Sequence, residues 1–202
     1  MSSSSTLPLA GVRLAASADL PTRFGRFRMV ALKGPDGAEF GAVVRGDVDG
    51  RAGVPVRLHS ACFTGDLMGS LRCDCRDQLE ASLAFIGRAE RGAVIYLEQE
   101  GRGIGLVNKV RAYALQEKGL DTVEANEALG FPDDLRRYDE AAGILQALGI
   151  VSVCLLTNNP RKVDGLEQFG VRVVGRIPLR AVSNEHNASY LETKREKSGH
   201  LL

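Results

Sequence analysis

The spacing of apolar positions changes along the chain, and the change divides it into two kinds of architecture. Phe24 to Leu32 and Phe40 to Val48 are strand-length stretches rich in apolar residues. The Gly34-Pro35-Asp36-Gly37 run between them is a strong turn signal, so the pattern predicts a hairpin. Val54 to His59 predicts a third strand, which delivers the chain into a polar loop. Beyond that loop Leu79, Leu83 and Ile86 recur at helical intervals, and Glu90-Arg91-Gly92 closes the helix they predict. Ala93 to Leu97 is then a short apolar strand, Ile104 to Lys118 a helix, and Ala141, Ile144, Leu145 and Leu148 mark another helix. Val151 to Leu156 predicts a strand, Lys162 to Phe169 a helix, Val171 to Ile177 a last strand, and the polar stretch from Asn184 a surface helix.

A β-rich first third followed by alternating strands and helices places the chain in the α/β (α+β) class. The expectation is a single domain with a mixed sheet, β-rich in its N-terminal part and with strand/helix alternation in its C-terminal part. The opening run M-S-S-S-S-T-L-P-L-A-G-V-R lacks the basic start of a signal peptide. Residues 1–20 are therefore expected to form a flexible N-terminal extension, with residues 21–202 as the folded domain. No internal repeat is visible.

Composition narrows the function class. With 202 residues, 44% hydrophobic and 25% charged, the chain can bury one good core, and its longest apolar stretches are strand-sized, so no membrane partner is expected. A net charge of +1 gives no electrostatic footprint for a nucleic acid, so basic side chains must act locally. The reading is a soluble cytoplasmic enzyme.

Three of the four cysteines, Cys62, Cys73 and Cys75, crowd into H-S-A-C-F-T-G-D-L-M-G-S-L-R-C-D-C, while Cys154 stands alone in an apolar stretch. Three thiolates are the right number for a zinc ion that keeps its fourth tetrahedral position free for water. A structural zinc site would want a fourth protein ligand, for which His59 is the nearby candidate. A disulfide is disfavoured, because it would leave Cys154 and the odd member of the trio unpaired, and buried unliganded thiols are a further alternative, against which Arg72, Asp74, Arg76 and Asp77 surround the pair with charge. A second candidate is Gln99-Glu100-Gly101-Arg102-Gly103-Ile104-Gly105, between a strand and a helix. It invites a dinucleotide-binding reading with Asp121 as the ribose ligand, but its third glycine is off register for G-x-G-x-x-G. It suits instead a glycine loop that binds anionic or purine groups at a helix N-terminus. A third is Leu156-Thr157-Asn158-Asn159-Pro160-Arg161-Lys162, a capped helix start directly after a strand, with Lys162 as a cation suited to phosphate.

Taken together, residues 57–75, 99–116, 121–131 (D-T-V-E-A-N-E-A-L-G-F) and 155–162 closely resemble GTP cyclohydrolase II, and the ending E-K-S-G-H-L-L looks like that family's C-terminus. The likeness covers roughly residues 20 to 202. It implies a GTP cyclohydrolase II-like catalytic domain that hydrolyses GTP, opening the imidazole ring with release of formate and pyrophosphate to give 2,5-diamino-6-(5-phosphoribosylamino)pyrimidin-4(3H)-one. That reaction is the first step of riboflavin biosynthesis. The resemblance further implies one zinc per subunit on Cys62, Cys73 and Cys75, magnesium with the triphosphate, and a homodimer. Nucleotide-binding positions correspond to Arg57, Leu58, His59, Ser60, Ala61, Gln78, Glu100, Gly101, Arg102, Thr122, Thr157 and Lys162. Asp134 matches the proposed proton acceptor, Arg136 the proposed nucleophile toward the α-phosphate, and Tyr113 a tyrosine near the metal. A guanidinium is almost always protonated, so an electrostatic role on the α-phosphate is the conservative one for Arg136. Departures from the family pattern are Ala61 where glutamate is expected, Arg76 after C-D-C in place of glycine, and Glu98 in place of a basic residue. They leave room for a specialised relative that stops at the formamide or serves a secondary pathway. A zinc-stabilised module without catalysis, and a nicotinamide-dependent oxidoreductase, are the readings from other classes.

Overall fold

A computed structural model describes residues 11–179, 183–199 and 201. In chain order the elements are β1 (Arg13–Thr22), β2 (Gly25–Lys33), β3 (Glu39–Arg45), β4 (Val54–Ser60), α1 (Cys75–Arg88), β5 (Gly92–Leu97), α2 (Gly105–Gln116), α3 (Thr122–Ala128), α4 (Asp139–Ala147), β6 (Val153–Leu156), α5 (Pro160–Gln168), β7 (Val173–Ile177) and α6 (Ala188–Glu196). The strands form one mixed sheet in the order β1-β2-β3-β5-β4-β6-β7. β1, β2, β3 and β5 pair antiparallel, whereas β5, β4, β6 and β7 pair parallel. The α/β class with a β-rich first third and alternation afterwards is what the sequence pattern predicts.

The hairpin turn forms where the glycines and proline place it. Gly34 N–H donates to Ala38 O at 2.8 Å, Asp36 Oδ1 accepts from Ala38 N at 3.0 Å, and Gly37 takes φ 89°. The extension expected over residues 1–20 is corrected for its second half. Residues 1–10 lie outside the described residues, but Arg13–Thr22 is a ten-residue strand paired with β2 from Arg13↔Lys33 to Thr22↔Gly25. Its side chains are mostly exposed, so it has no apolar signature; main-chain hydrogen bonds to β2 hold it at the sheet edge, where Pro21 and Asp19 are tolerated. Thr122–Ala128 is a helix that the periodicity did not predict. Asp121 caps it, accepting from Val123 N at 2.8 Å and Glu124 N at 3.0 Å in a capping box.

Both faces of the sheet are packed. Val54, Val56 and Leu58 of β4 and Ala93, Ile95 and Leu97 of β5 point to one face, into a core closed by Ile144, Leu145 and Leu166 of α4 and α5. Val94 points to the other face, with Phe27, Ile86 and Leu156 under α1. Each fully buried Leu or Ile side chain contributes about 1.5–3 kcal/mol. The period of two along β4 that sends Val56 and Leu58 into the first core turns Arg57 and His59 the opposite way, onto the face covered by α1.

Candidate active site

Topology fixes the place of the site. From β4 the chain crosses over α1 to β5 on one side, and from β6 over α5 to β7 on the other, so the connections diverge beyond the carboxyl ends of β4 and β6. A crevice opens at such a switch point. The residues after β4 (Ala61, Cys62), after β5 (Gln99 to Arg102) and after β6 (Thr157 to Asn159) all line one cavity of about 1100 Å³, counting its open mouth.

The three cysteines predicted as ligands come together there, their sulfurs all within 4.8 Å of one another, with Cys62 Sγ and Cys73 Sγ 3.7 Å apart. Gly65 makes this approach possible, because a Cβ on it would stand 2.9 Å from Cys73 Sγ and 3.0 Å from Cys62 Sγ. Hydrogen bonds among the sulfurs divide the trio. Cys62, bonded by Cys73 and Cys75 and then by Lys109, is held far below the ordinary thiol range; Cys73 is pushed up to about 11 by Cys62, and Cys75 is raised well above its usual value. Three thiolates this close repel, and a divalent cation is what allows all three to ionise together. Soft sulfur donors in a group of three fit zinc with a position left open.

His59 does not join them. Its Nε2 sits 3.0 Å from both oxygens of Asp66, and its ring stacks on Tyr96 with centroids 5.5 Å apart. Asp66 also accepts from Tyr96 OH at 2.9 Å and from Cys62 N at 3.0 Å, so this buried carboxylate braces the loop that carries the first cysteine. Burial pushes the His59 pKa down. Among the described residues, the group that could hold a metal contains cysteines alone.

Glu100 and Lys109 form the next layer. Lys109 Nζ lies 3.0 Å from Cys62 Sγ and 2.7 Å from Glu100 Oε1, while Glu100 Oε2 accepts from Phe63 N at 2.6 Å. The Glu100 carboxylate, expected to bind nucleotide, is thus tied to the cysteine loop. Tyr113 OH is 3.2 Å from Thr64 Oγ1, and the Arg72 guanidinium lies 4.8 Å above the ring. Burial raises the Tyr113 pKa, so the phenol stays protonated.

On the β6 side two buried basic side chains, Lys162 and Arg57, hydrogen-bond only neutral groups. Lys162 Nζ donates to Leu58 O at 2.7 Å, and burial, with Arg57 and Arg136 nearby, drives its pKa well below the ordinary amine value. Arg57 donates to Leu156 O at 3.0 Å and Gln78 Oε1 at 2.7 Å, both neutral, and burial lowers its pKa to about 10. Asn159 caps α5 through Arg161 N at 3.0 Å, and Thr157 Oγ1 accepts from Asn159 N at 3.0 Å. Arg136 is held by Asp134, Nε to Oδ1 at 2.8 Å and Nη2 to Oδ2 at 2.5 Å. Burial opposes charge on both, yet the pairing wins: the Asp134 pKa is lowered and that of Arg136 raised.

Of the residues singled out in the sequence, Arg57, His59, Ser60, Ala61, Gln78, Glu100, Gly101, Arg102, Thr122, Thr157, Lys162, Tyr113 and Arg136 line the cavity with the three cysteines. Leu58 and Asp134 do not. Leu58 is fully buried in the first core and offers only its carbonyl to Lys162, while Asp134 reaches the cavity through Arg136. The dinucleotide reading fails on geometry, because Gly101 and Arg102 both turn left-handed at φ 62° and 59° and Asp121 is spent on capping α3. Lys109, Asp66, Tyr190 and Lys194 were missed. Lys109 lies four residues before Tyr113 on one face of α2, a spacing that could have shown it.

The family model described as GTP cyclohydrolase II matches residues 13–178. "Riboflavin biosynthesis protein RibBA" of Endomicrobium trichonymphae is 54% identical over 185 residues, 91% of this chain and 46% of that protein. "GTP cyclohydrolase-2" of Picrophilus torridus is 50% identical over 187 residues, 93% of this chain and 97% of that protein. The RibBA of Bacillus subtilis is 55% identical over 91% of this chain and 46% of its own length. The chain spans about half the length of the RibBA relatives it matches and nearly all of the Picrophilus protein. Matched over most of its length by both the family model and a full-length relative, this chain belongs to the GTP cyclohydrolase II family.

Proposed function

We propose that the chain hydrolyses GTP, opening the imidazole ring with release of formate and pyrophosphate, to give 2,5-diamino-6-(5-phosphoribosylamino)pyrimidin-4(3H)-one, the first step of riboflavin biosynthesis. One observation carries this reading. A single cavity holds three cysteine sulfurs together with two buried cations, Arg57 and Lys162, whose hydrogen-bond partners are all uncharged. Buried charge without a counter-ion is costly, and a polyphosphate supplies the missing negative charge. Four of the six buried side-chain polar atoms without a partner among the described residues, Arg57 Nε, His59 Nδ1, Ser60 Oγ and Gln99 Nε2, belong to residues lining the same cavity, which suits a ligand with many polar edges.

Cys62, Cys73 and Cys75 would hold the zinc, which would supply a Lewis acid able to make water nucleophilic near neutral pH. The chain's own residues direct the rest. C8 of guanine is a weak electrophile, so the base must be held against the sulfurs with little freedom, and Glu100, Lys109 and Tyr113 form the wall that does this. Protonated Tyr113 donates a hydrogen bond and orients water at C8. Lys109, donating to Cys62 Sγ, offsets part of the thiolate charge. Arg136, kept protonated by Asp134, stabilises charge on the α-phosphate as pyrophosphate departs, which favours the electrostatic role over the nucleophilic one. Asp134 carries the proton-acceptor assignment only if Arg136 releases it when substrate binds. Magnesium enters with the triphosphate.

We assign the chain to the cytoplasm as a homodimer. No described helix is long and apolar enough to cross a membrane. Leu106, Val107 and Val110 of α2 are exposed, as are Leu67, Met68 and Leu71 in the loop that meets α2 through Thr64 and Arg72; a second copy would cover them.

The test is incubation of zinc-loaded protein with GTP and magnesium. Formate, pyrophosphate and the pyrimidine should appear in equal amounts. Formamide product without formate would select the truncated reaction, and no turnover of GTP would sink the reading.

A further inference from the structure

The family match ends at residue 178, yet α6 reaches the cavity: Tyr190 and Lys194 both line it. The helix expected on the surface is docked through a buried charge. Lys194 Nζ lies 2.6 Å from Asp74 Oδ1, with the lysine side chain 7% and the aspartate 0% exposed. Asp74 stands between Cys73 and Cys75 and occupies the N-cap of α1, but it makes no capping bond; its carboxylate is diverted. The second oxygen, Oδ2, accepts from Gln78 Nε2 at 2.5 Å, and Gln78 Oε1 in turn accepts from Arg57 Nη2 at 2.7 Å. A hydrogen-bonded relay therefore runs Lys194, Asp74, Gln78, Arg57, and ends on the β6 carbonyl of Leu156.

The rest of the C-terminal segment clasps the other walls. Ser198 Oγ meets Arg102 at 3.3 Å, Lys197 pairs with Asp121 and Glu124 at the start of α3, and Leu201 N–H donates to Asn158 O at 2.8 Å. Lys194 also lies 4.5 Å above the Tyr190 ring.

Each link of the relay has one geometry that satisfies it. With Asp74 Oδ1 fixed by Lys194, Oδ2 faces Gln78; this holds the Gln78 amide with its oxygen toward Arg57, and so sets the direction of the guanidinium. We propose that Lys194 of α6 is a positioning residue for the triphosphate subsite, acting through Asp74 and Gln78 to aim Arg57 into the cavity. The proposal rests on the reading of that cavity as a triphosphate site. It gives the C-terminal helix a part in substrate binding, and it ties that part to the turn that spaces two of the cysteines.

The test measures binding of inorganic tripolyphosphate to the zinc-loaded full chain by calorimetry, together with KM and kcat for GTP, zinc content and Tm. Lys194→Met should weaken tripolyphosphate binding and raise KM about ten-fold, the scale of one charge-assisted contact, with kcat changed far less. Lys194→Arg should recover most of the loss. Lys194→Met should add little when combined with Arg57→Met, because both act on one guanidinium. Because Lys194→Met strands a buried carboxylate, the double variant Lys194→Met/Asp74→Asn removes both charges; it should fold with zinc bound and still bind tripolyphosphate weakly. Full binding in that double variant, or losses at Lys194 and Arg57 that simply add, would overturn the proposal. If the wild type fails to open GTP but binds tripolyphosphate in a Lys194-dependent way, ring opening is refuted and the relay stands.

Discussion

Lys162 shows how a single residue can register the ligand. Its folded pKa lies below the ordinary lysine value of 10.5, chiefly through burial, with Arg57 and Arg136 adding repulsion against Asp134. In the window between the lowered and the ordinary value, the unfolded chain binds more protons than the folded one, so stability rises with pH there. Lys162→Met should flatten that part of the pH–stability curve measured by urea unfolding. A bound triphosphate favours the charged amine, so phosphate affinity should fall as pH rises through the free-state pKa, and Lys162→Met should lose that dependence. At Arg136 the prediction concerns division of labour. Lysine keeps the charge but not the two-point pairing with Asp134, so Arg136→Lys should slow pyrophosphate release by about ten-fold to a hundred-fold while formate release falls less. Equal loss of both products with zinc retained would refute the separate roles.

At the scale of elements, the cysteine loop depends on one residue with no side chain. Gly65→Ala would put a methyl within about 3 Å of two sulfurs, so zinc affinity in chelator competition should drop about ten-fold to a hundred-fold while the far-UV spectrum stays unchanged. Helices and strands built on local periodicity were legible: the hairpin, β4, α1, β5, α2, α4, α5 and β7 fall near where the spacing places them. β1 was not. Its Ala, Ser and Asp carry no strand signature, and what makes it a strand is the exposed edge of β2, which no local window contains. α6 was legible as a helix but not as part of the cavity wall, because its polar sequence hides one buried lysine among the exposed charges of Glu192, Arg195 and Glu196.

For the whole molecule, α2 and the cysteine loop each carry exposed apolar side chains. Val107 is 65% and Met68 64% exposed. Val107→Lys with Val110→Asp should shift the protein toward monomer in light scattering, and an unchanged mass would exclude this face as the dimer contact.

The sequence by itself determined the class of fold and the candidate residues: three cysteines close together, the glycine-rich turn, and the capped helix start that carries Lys162. These are local facts, set within a few residues by spacing and backbone preference. Only the tertiary structure decided who partners whom. Lys194 meets Asp74 from 120 positions away, Lys162 reaches Leu58 across 104, and His59 is drawn to Asp66 instead of the three cysteines. Such pairings follow from strand order and from which face each strand buries. A buried charge must take whatever partner that packing brings within reach.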